Sequence, residues 1–240
     1  MSFREWTEQL RSIQGNQPLW PRLLGMMLDA EFERLSSVDE VYEGEVFKDR
    51  DHHEISQGTT ERCLVASLYH RCVNDNHGCL LYESEPIWLL GYEWPNQGGD
   101  KERGRRADLV GLRVDGSLVV FECKRSDNAD PPLTALVEGL DYLACLLRPR
   151  NFEKILSGFR SWVCRDDKVI PEGFEQTVPS RTVRPTLVVL APEEYFRGRY
   201  SRSRRGEGWP EILNAGDSFA EGFSLRFACC DYDSTFVFSP

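Results

Sequence analysis

Two apolar runs joined by an Asp-Gly turn constrain the fold of this chain more than any other segment. They lie within residues 105–125, with Asp115-Gly116 between them. Strands that are buried on both faces are apolar throughout, so the pattern predicts a β-hairpin inside a covered sheet. Three charged residues stand at the open end of this hairpin: Asp108, Glu122 and Lys124. Charges beside a dry core require a metal, a ligand or one another, so the open end is a candidate site.

The length of the hairpin loop decides whether these charges meet, because side chains alternate between the two faces of a strand. A two-residue loop at Asp115-Gly116 would pair Asp108 with Cys123 and point Asp108 and Glu122 to opposite faces. A three-residue loop, Val114-Asp115-Gly116, instead pairs Asp108 with Glu122, Val110 with Val120, and Leu112 with Leu118. We predict the three-residue loop or an equivalent bulge, with Gly116 in the left-handed conformation.

The segments Ala107-Asp108-Leu109-Val110 and Phe121-Glu122-Cys123-Lys124-Arg125 resemble the active-site strands of the PD-(D/E)xK nuclease superfamily, which has the restriction-endonuclease-like fold. The resemblance implies that Asp108, Glu122 and the carbonyl of Cys123 hold Mg²⁺, for which Mn²⁺ can substitute. It also implies that Lys124 positions or activates the attacking water and stabilises charge on the phosphate. A hard cation prefers oxygen ligands and neutralises charge during displacement at phosphorus, so the residue types suit this chemistry.

A predicted helix before the hairpin contributes a further acidic candidate, Glu61. Residues 59–73 have apolar side chains near helical spacing after Gly58, with Thr59 or Thr60 as the N-cap. The resemblance implies an acidic residue from a helix that precedes the active strands, and Glu61 has that place along the chain. The alternative is an acidic residue that only interacts favourably with the helix dipole, and both interpretations stay open.

Segments on either side of the hairpin complete the predicted order of elements. Residues 80–90 are typical of one strand, interrupted by Pro86, which suits an edge or a bulge. After the hairpin, apolar residues recur every three or four positions up to Leu147 and predict a helix that begins at Pro131-Pro132 and ends at Pro149. The order helix, strand, strand, strand, helix is the core arrangement of the superfamily.

Glu138 and Tyr142 lie four residues apart on the predicted helix after the hairpin. The RecB-like branch of the superfamily has Gln and Tyr at this spacing on the corresponding helix, so Glu138 departs from the pattern of that branch. The alternative is an ordinary amphipathic helix that covers the sheet.

The chain length and composition predict one α/β fold. With 240 residues and 40% hydrophobic residues, the chain can bury a substantial core. We expect a restriction-endonuclease-like core over residues 46–240, with a central mixed β-sheet flanked by helices. Residues 1–45 are typical of an N-terminal helical extension that caps the core or contacts a protein partner or a second copy of the chain. Further strands are expected at residues 186–191, 223–230 and 235–238, and a helix around residues 151–159.

The cysteines and the apolar segments favour a cytoplasmic protein. None of the eight cysteines forms a Cys-x-x-Cys pair, and several lie in apolar segments, so they resemble core residues of a reducing compartment. No apolar run approaches the length of a membrane span, and the amino terminus lacks a signal-peptide core.

A formal net charge of −10 is the main argument against a nucleic-acid substrate, because affinity for a polyanion depends on neutralising its phosphates. Positive charge is nevertheless concentrated near the candidate site, at Arg105, Arg106 and Arg125. A second arginine cluster lies in a segment rich in Gly and Ser: Arg197, Arg199, Arg202, Arg204 and Arg205. We expect these arginines to contact a phosphate backbone, and a solvated charged loop is the alternative for the second cluster.

Together these patterns predict a metal-dependent nuclease that hydrolyses phosphodiester bonds, most simply those of DNA, by either endonuclease or exonuclease cleavage. The candidate catalytic residues are Asp108, Glu122, Lys124 and Glu61. An inactive nuclease-like module that binds nucleic acid or a protein partner is the main alternative. A nucleotide hydrolase is a weaker alternative, since the chain has no Gly-rich phosphate loop.

Overall fold

A seven-stranded mixed β-sheet forms the centre of the computed structural model, which describes residues 20–38, 60–95, 106–128, 132–166, 168–197, 220–231 and 233–237. The helices within these ranges are α1 (Trp20–Ser36), α2 (Glu61–Asp75), α3 (Pro132–Leu146), α4 (Pro149–Val163) and α5 (Glu193–Arg197). The strands are β1 (Cys79–Tyr82), β2 (Glu85–Pro95), β3 (Arg106–Leu112), β4 (Leu118–Cys123), β5 (Thr186–Ala191), β6 (Ser224–Cys229) and β7 (Phe236–Val237).

The strand order is β6-β5-β4-β3-β2-β1-β7. Neighbouring strands from β1 to β4 are antiparallel, whereas β4, β5 and β6 run parallel to one another and β7 runs parallel to β1. Parallel neighbours require a crossover connection, which α3 and α4 provide between β4 and β5. The predicted α/β class, with a mixed sheet flanked by helices, is therefore confirmed.

The β3–β4 hairpin has the predicted three-residue loop. Val110 pairs with Val120 and Leu112 with Leu118. The Arg113 N–H donates to the Ser117 carbonyl over 3.0 Å, and the Gly116 N–H donates to the Arg113 carbonyl over 2.9 Å. Gly116 has a φ of 86°, the left-handed conformation that such a loop requires at its last residue.

The predicted single strand over residues 80–90 is wrong, because the structure divides it into β1 and β2. Glu83 and Ser84 form the turn between them, with φ values of 48° and 79°. Two successive left-handed residues are typical of a two-residue hairpin turn, which usually contains Gly or Asn. Pro86 lies within the paired part of β2, and the irregularity of that strand falls between Leu89 and Gly91 instead.

Helices cover both faces of the sheet. One face carries side chains such as Val110 and Val120, and its hydrophobic cluster includes residues of α1, α3 and α4. The opposite face carries Leu109 and Phe121, which share a cluster with residues of α2. Strands β3 and β4 are therefore buried on both faces, which explains their nearly continuous apolar sequence.

The predicted N-terminal extension is described only over α1. Leu24 and Leu28 of this helix are fully buried in the same cluster as residues of α3. Residues 1–19 and 39–59 lie outside the described ranges, so the boundary near residue 45 stays a prediction.

The eight cysteines are free thiols, and seven of them are buried. This confirms their predicted place in the core for all but Cys164, which is exposed. Within the described ranges, no helix has the length and apolar character needed to cross a membrane.

Candidate functional site

At the open end of the β3–β4 hairpin, Asp108, Glu122 and Lys124 lie on one face of the sheet. The observed register ends at Leu109 and Phe121, and continuing it by one residue places Asp108 opposite Glu122. Lys124 follows Glu122 by two residues, so its side chain projects to the same face. Glu122 and Lys124 are buried, with exposed fractions of 3% and 4%, and Asp108 is half-buried.

Asp108 interrupts the hydrogen-bond ladder of the hairpin. In this register the next hydrogen-bonded pair would be Ala107 with Cys123, because such pairs alternate along an antiparallel ladder. The Cys123 N–H instead donates to Oδ2 of Asp108 over 2.7 Å. The carboxylate therefore satisfies a backbone donor at the point where the two strands cease to pair.

The Lys124 ammonium lies among carboxylates from three elements. Its Nζ donates to Oε1 of Glu122 over 2.7 Å and to Oε2 of Glu138 over 2.9 Å. Oε1 of Glu61 is 4.0 Å away. A strand and two helices on opposite faces of the sheet thus meet at this ammonium.

Helix α2 places Glu61 as the sequence predicts. The Thr60 side chain accepts a hydrogen bond from the Cys63 N–H over 3.3 Å, so Thr60 is the N-cap and Glu61 is the first helical residue. Oε2 of Glu61 accepts a hydrogen bond of 3.1 Å from the Asn128 side chain, which follows β4. Asn128 is a neighbour of the site that the sequence pattern does not predict.

Helix α3 brings Glu138 into the site because the helix approaches β4 closely. A Cβ atom at Gly139 would lie 2.5 Å from Cδ1 of Leu187 and 3.2 Å from Cβ of Glu122. Glu138 was not among the predicted site residues, although its position on the helix after the hairpin was a usable signal. Tyr142, one turn further on, is buried in the hydrophobic cluster, as expected for an amphipathic helix.

Four carboxyl groups around one ammonium shift the acid-base equilibria of the site. Burial raises the pKa of Asp108 to about 7, and the charge of Glu61 contributes to this rise. The hydrogen bond from the Cys123 N–H acts in the opposite direction and lowers the pKa, but its effect is smaller. Burial and the neighbouring Asp108 hold the pKa of Glu122 well above its usual range. Burial alone would lower the pKa of Lys124, but Glu122 and the other carboxylates raise it above its usual value.

The donor atoms of Asp108 and Glu122 suit a hard divalent cation. Oε2 of Glu122 is buried and has no hydrogen-bond partner in the described part of the chain, although a buried carboxylate oxygen normally has one. Within the same part, no three His, Cys, Asp or Glu side chains form a group arranged to hold a metal ion. The Lys124 ammonium contacts both Glu122 and Glu138, so a cationic group already occupies the space between them.

The predicted phosphate-binding arginines are only partly described. Arg125 follows Lys124 and forms an ion pair of 2.8 Å with Asp127. Arg106 is the first residue of β3, and nothing is described of its side chain. Arg105 and the later cluster, Arg199, Arg202, Arg204 and Arg205, lie outside the described residues.

Comparisons with protein-family models, with curated proteins and with solved structures found no match to this chain. The assignment of function therefore depends on the residues and geometry of the site itself.

Proposed function

We propose that the chain is a metal-dependent nuclease that hydrolyses phosphodiester bonds, in DNA before other nucleic acids. The observation that carries this proposal is that the half-buried Asp108 lies beside the buried Glu122 and Lys124 at one end of the hairpin. Burying several charges is unfavourable unless they are paired or bind a ligand, and perturbed carboxyl groups of this kind are typical of functional sites. The three-residue loop supports the proposal, because a two-residue loop would have separated Asp108 from Glu122.

The order of elements supports a restriction-endonuclease-like core for the same region. Helix α2 precedes a set of antiparallel strands that ends with β3 and β4. Helix α3 follows, and the chain then returns as β5, parallel to β4. This sequence of elements resembles the superfamily core, with β1 and β2 in place of a single first strand.

In the proposed site, Asp108, Glu122 and the Cys123 carbonyl hold Mg²⁺ or Mn²⁺, and Glu61 is a third carboxylate near them. The bound cation supplies electrostatic stabilisation of charge at phosphorus. Lys124 directs its ammonium at the phosphate and the attacking water, since its Nζ lies 2.7 Å from Oε1 of Glu122, one of the two proposed metal carboxylates. Arg105, Arg106 and Arg125 contact the DNA backbone on either side, together with the arginine cluster around residue 202.

A cleavage assay on purified protein tests this proposal. Linear, circular and single-stranded DNA, and RNA, are incubated with Mg²⁺ or Mn²⁺ and then with a chelator. We expect metal-dependent cleavage of DNA by the native chain, and a loss of at least about a hundredfold in Lys124→Ala. Lys154→Ala, which removes an exposed lysine of α4, is the matched control and should retain full activity. Equal cleavage by Lys124→Ala and the native chain would rule out the mechanism.

A second candidate function is a module that binds nucleic acid or a protein partner without cleavage. It is favoured by the absence, within the described ranges, of three acidic or other ligating side chains grouped around a metal position. In that case the pairing of Lys124 with Glu122 and Glu138 is purely structural, and helix α1 or the residues before it supply the partner surface. Binding of DNA with no cleavage in either metal would support this second candidate.

A further inference from the structure

Glu138 bonds to Lys124 but has no part in the proposed metal site. We propose that Glu138 is a positioning residue. Its carboxylate stays hydrogen-bonded to the Lys124 ammonium when a divalent cation binds to Glu122 and displaces the ammonium from it. The inference rests on the proposed function, because it concerns how the same site admits its metal. Glu138 then acts through Lys124 rather than by binding the metal.

The Lys124 ammonium and a bound cation would compete for Glu122. The ammonium is bonded to Oε1 of Glu122 over 2.7 Å, and both side chains are 5% exposed. A cation bound to the same carboxylate would repel the ammonium strongly in a poorly solvated site. The ammonium must therefore move away from Glu122 for the metal to bind well, and it needs another acceptor because burying it alone is unfavourable.

Glu138 meets the requirements for that acceptor. Its Oε2 already lies 2.9 Å from Nζ of Lys124, so the ammonium keeps a charge-assisted hydrogen bond as it leaves Glu122. The Glu138 side chain is 37% exposed, so it can change its conformation without crossing a packed core. Glu61 is less suitable, since it lies 4.0 Å from Nζ and bonds to Asn128.

Two other roles would also make Glu138 favour metal binding. Its negative charge would attract any cation through space, or its carboxylate would become a direct ligand. Neither role needs Lys124, whereas the proposed role disappears when Lys124 has no charge. A double-mutant cycle separates these possibilities, because it measures whether the effect of one residue depends on the other.

The experiment measures Mg²⁺ and Mn²⁺ affinity by isothermal titration calorimetry without DNA. The proteins are the native chain, Glu138→Gln, Lys124→Met and the double variant. We expect Glu138→Gln to weaken metal binding about tenfold, as is common when a partner of a metal-binding group is removed. Lys124→Met should bind the metals more tightly than the native chain. In the Lys124→Met background, Glu138→Gln should change the affinity less than about twofold.

Equal weakening by Glu138→Gln in both backgrounds would overturn the inference while leaving the proposed function intact. Failure of both the native chain and Lys124→Met to bind either metal would overturn the inference and the proposed metal site together. Glu153→Gln, at an exposed carboxylate of α4, controls for the loss of one negative charge and should not change affinity. Circular dichroism checks folding, and Lys124→Gln, whose amide can still donate to Glu122, replaces Lys124→Met if that variant does not fold.

Discussion

The two ends of the β3–β4 hairpin each contain an aspartate, and the two residues have opposite electrostatic environments. At the turn, Asp115 accepts hydrogen bonds from the Ser117 N–H over 2.9 Å and from the Ser117 hydroxyl over 2.7 Å. Burial opposes ionisation there, but these bonds outweigh it and lower the pKa of Asp115. At the open end, Asp108 accepts one backbone hydrogen bond beside other carboxyl groups, and its pKa is raised.

This difference distinguishes a structural aspartate from a functional candidate. The Asp115 carboxylate is hydrogen-bonded by Ser117, two positions further along the turn, so its charge needs nothing from outside the hairpin. At the open end, the described residues place four carboxyl groups around the Lys124 ammonium, and one ammonium cannot balance the charge of all four. Proton uptake or cation binding relieves such an excess, so the contrast predicts where chemistry occurs.

Replacing each aspartate by asparagine should give the largest contrast, in metal-dependent DNA cleavage. We expect Asp108→Asn to reduce the cleavage rate at least about a hundredfold, because it removes a proposed ligand of the cation. Asp115→Asn should change the rate less than about twofold, since the turn is remote from the charged cluster. Rates are compared at saturating Mg²⁺ on proteins shown to be folded. A similar loss in both variants would mean that the two ends are not functionally distinct.

A substitution in the turn should instead lower the stability of the fold. Gly116 has a left-handed φ of 86°, and a Cβ atom there would lie 2.5 Å from the Val178 carbonyl oxygen. We expect Gly116→Ala to destabilise the fold by about 2 to 3 kcal/mol, from backbone strain and overpacking together. Urea unfolding gives this value. Gly173→Ala is the matched control, because Gly173 has a φ of 87° and an added Cβ would meet no atom within 4 Å. This variant should lose about 1 kcal/mol.

The pH dependence of stability should have opposite signs for the two aspartates. The folded pKa of Asp108 is about 7, above the ordinary value of 3.8, so the folded state binds more protons between these values. Stability from this group is therefore present below about pH 4 and is lost as the pH rises towards 7. Asp115, with a lowered pKa, stabilises the fold above its ordinary range and loses this effect in acid.

Urea unfolding without metal, at several pH values from about 5 to 7.5, measures this sign. We expect the native chain to lose about 2 to 3 kcal/mol over that range from Asp108, and Asp108→Asn to reduce the loss. Glu122, whose pKa is raised by burial and by Asp108, adds a loss in the same direction, and in the variant only the part due to burial and the other carboxylates remains. An unchanged pH profile in Asp108→Asn would contradict the raised pKa, and Asp115→Asn should leave the profile above about pH 5 unaltered.

The parts of the fold that follow from local rules were predictable from the sequence. Side-chain alternation and a Gly in the loop determined the hairpin register, and a Thr before an acidic residue determined the start of α2. The β1–β2 turn was not predictable in the same way, because Glu83 and Ser84 adopt left-handed conformations that neither residue type prefers.

Only the part of the candidate site that lies on or next to strands β3 and β4 was predictable from the sequence. Asp108, Glu122 and Lys124 follow from hairpin register, whereas Glu138 and Asn128 reach the site through tertiary contacts. The sequence showed that α3 has an apolar face, but not how closely that face approaches β4. That separation depends on the side chains at the contact, which periodicity alone does not determine.

Gly139 carries no charge, yet it helps to set the geometry of the charged cluster. Because it has no side chain, helix α3 can rest against Leu187 and the stem of Glu122, which sets the height of Glu138 above the sheet. A larger residue at this position would act as a spacer and lift the helix away from β4. The strength of the Lys124–Glu138 pair is thus adjustable by steric means, and variation at residue 139 offers a way to tune the site without altering any ionisable group.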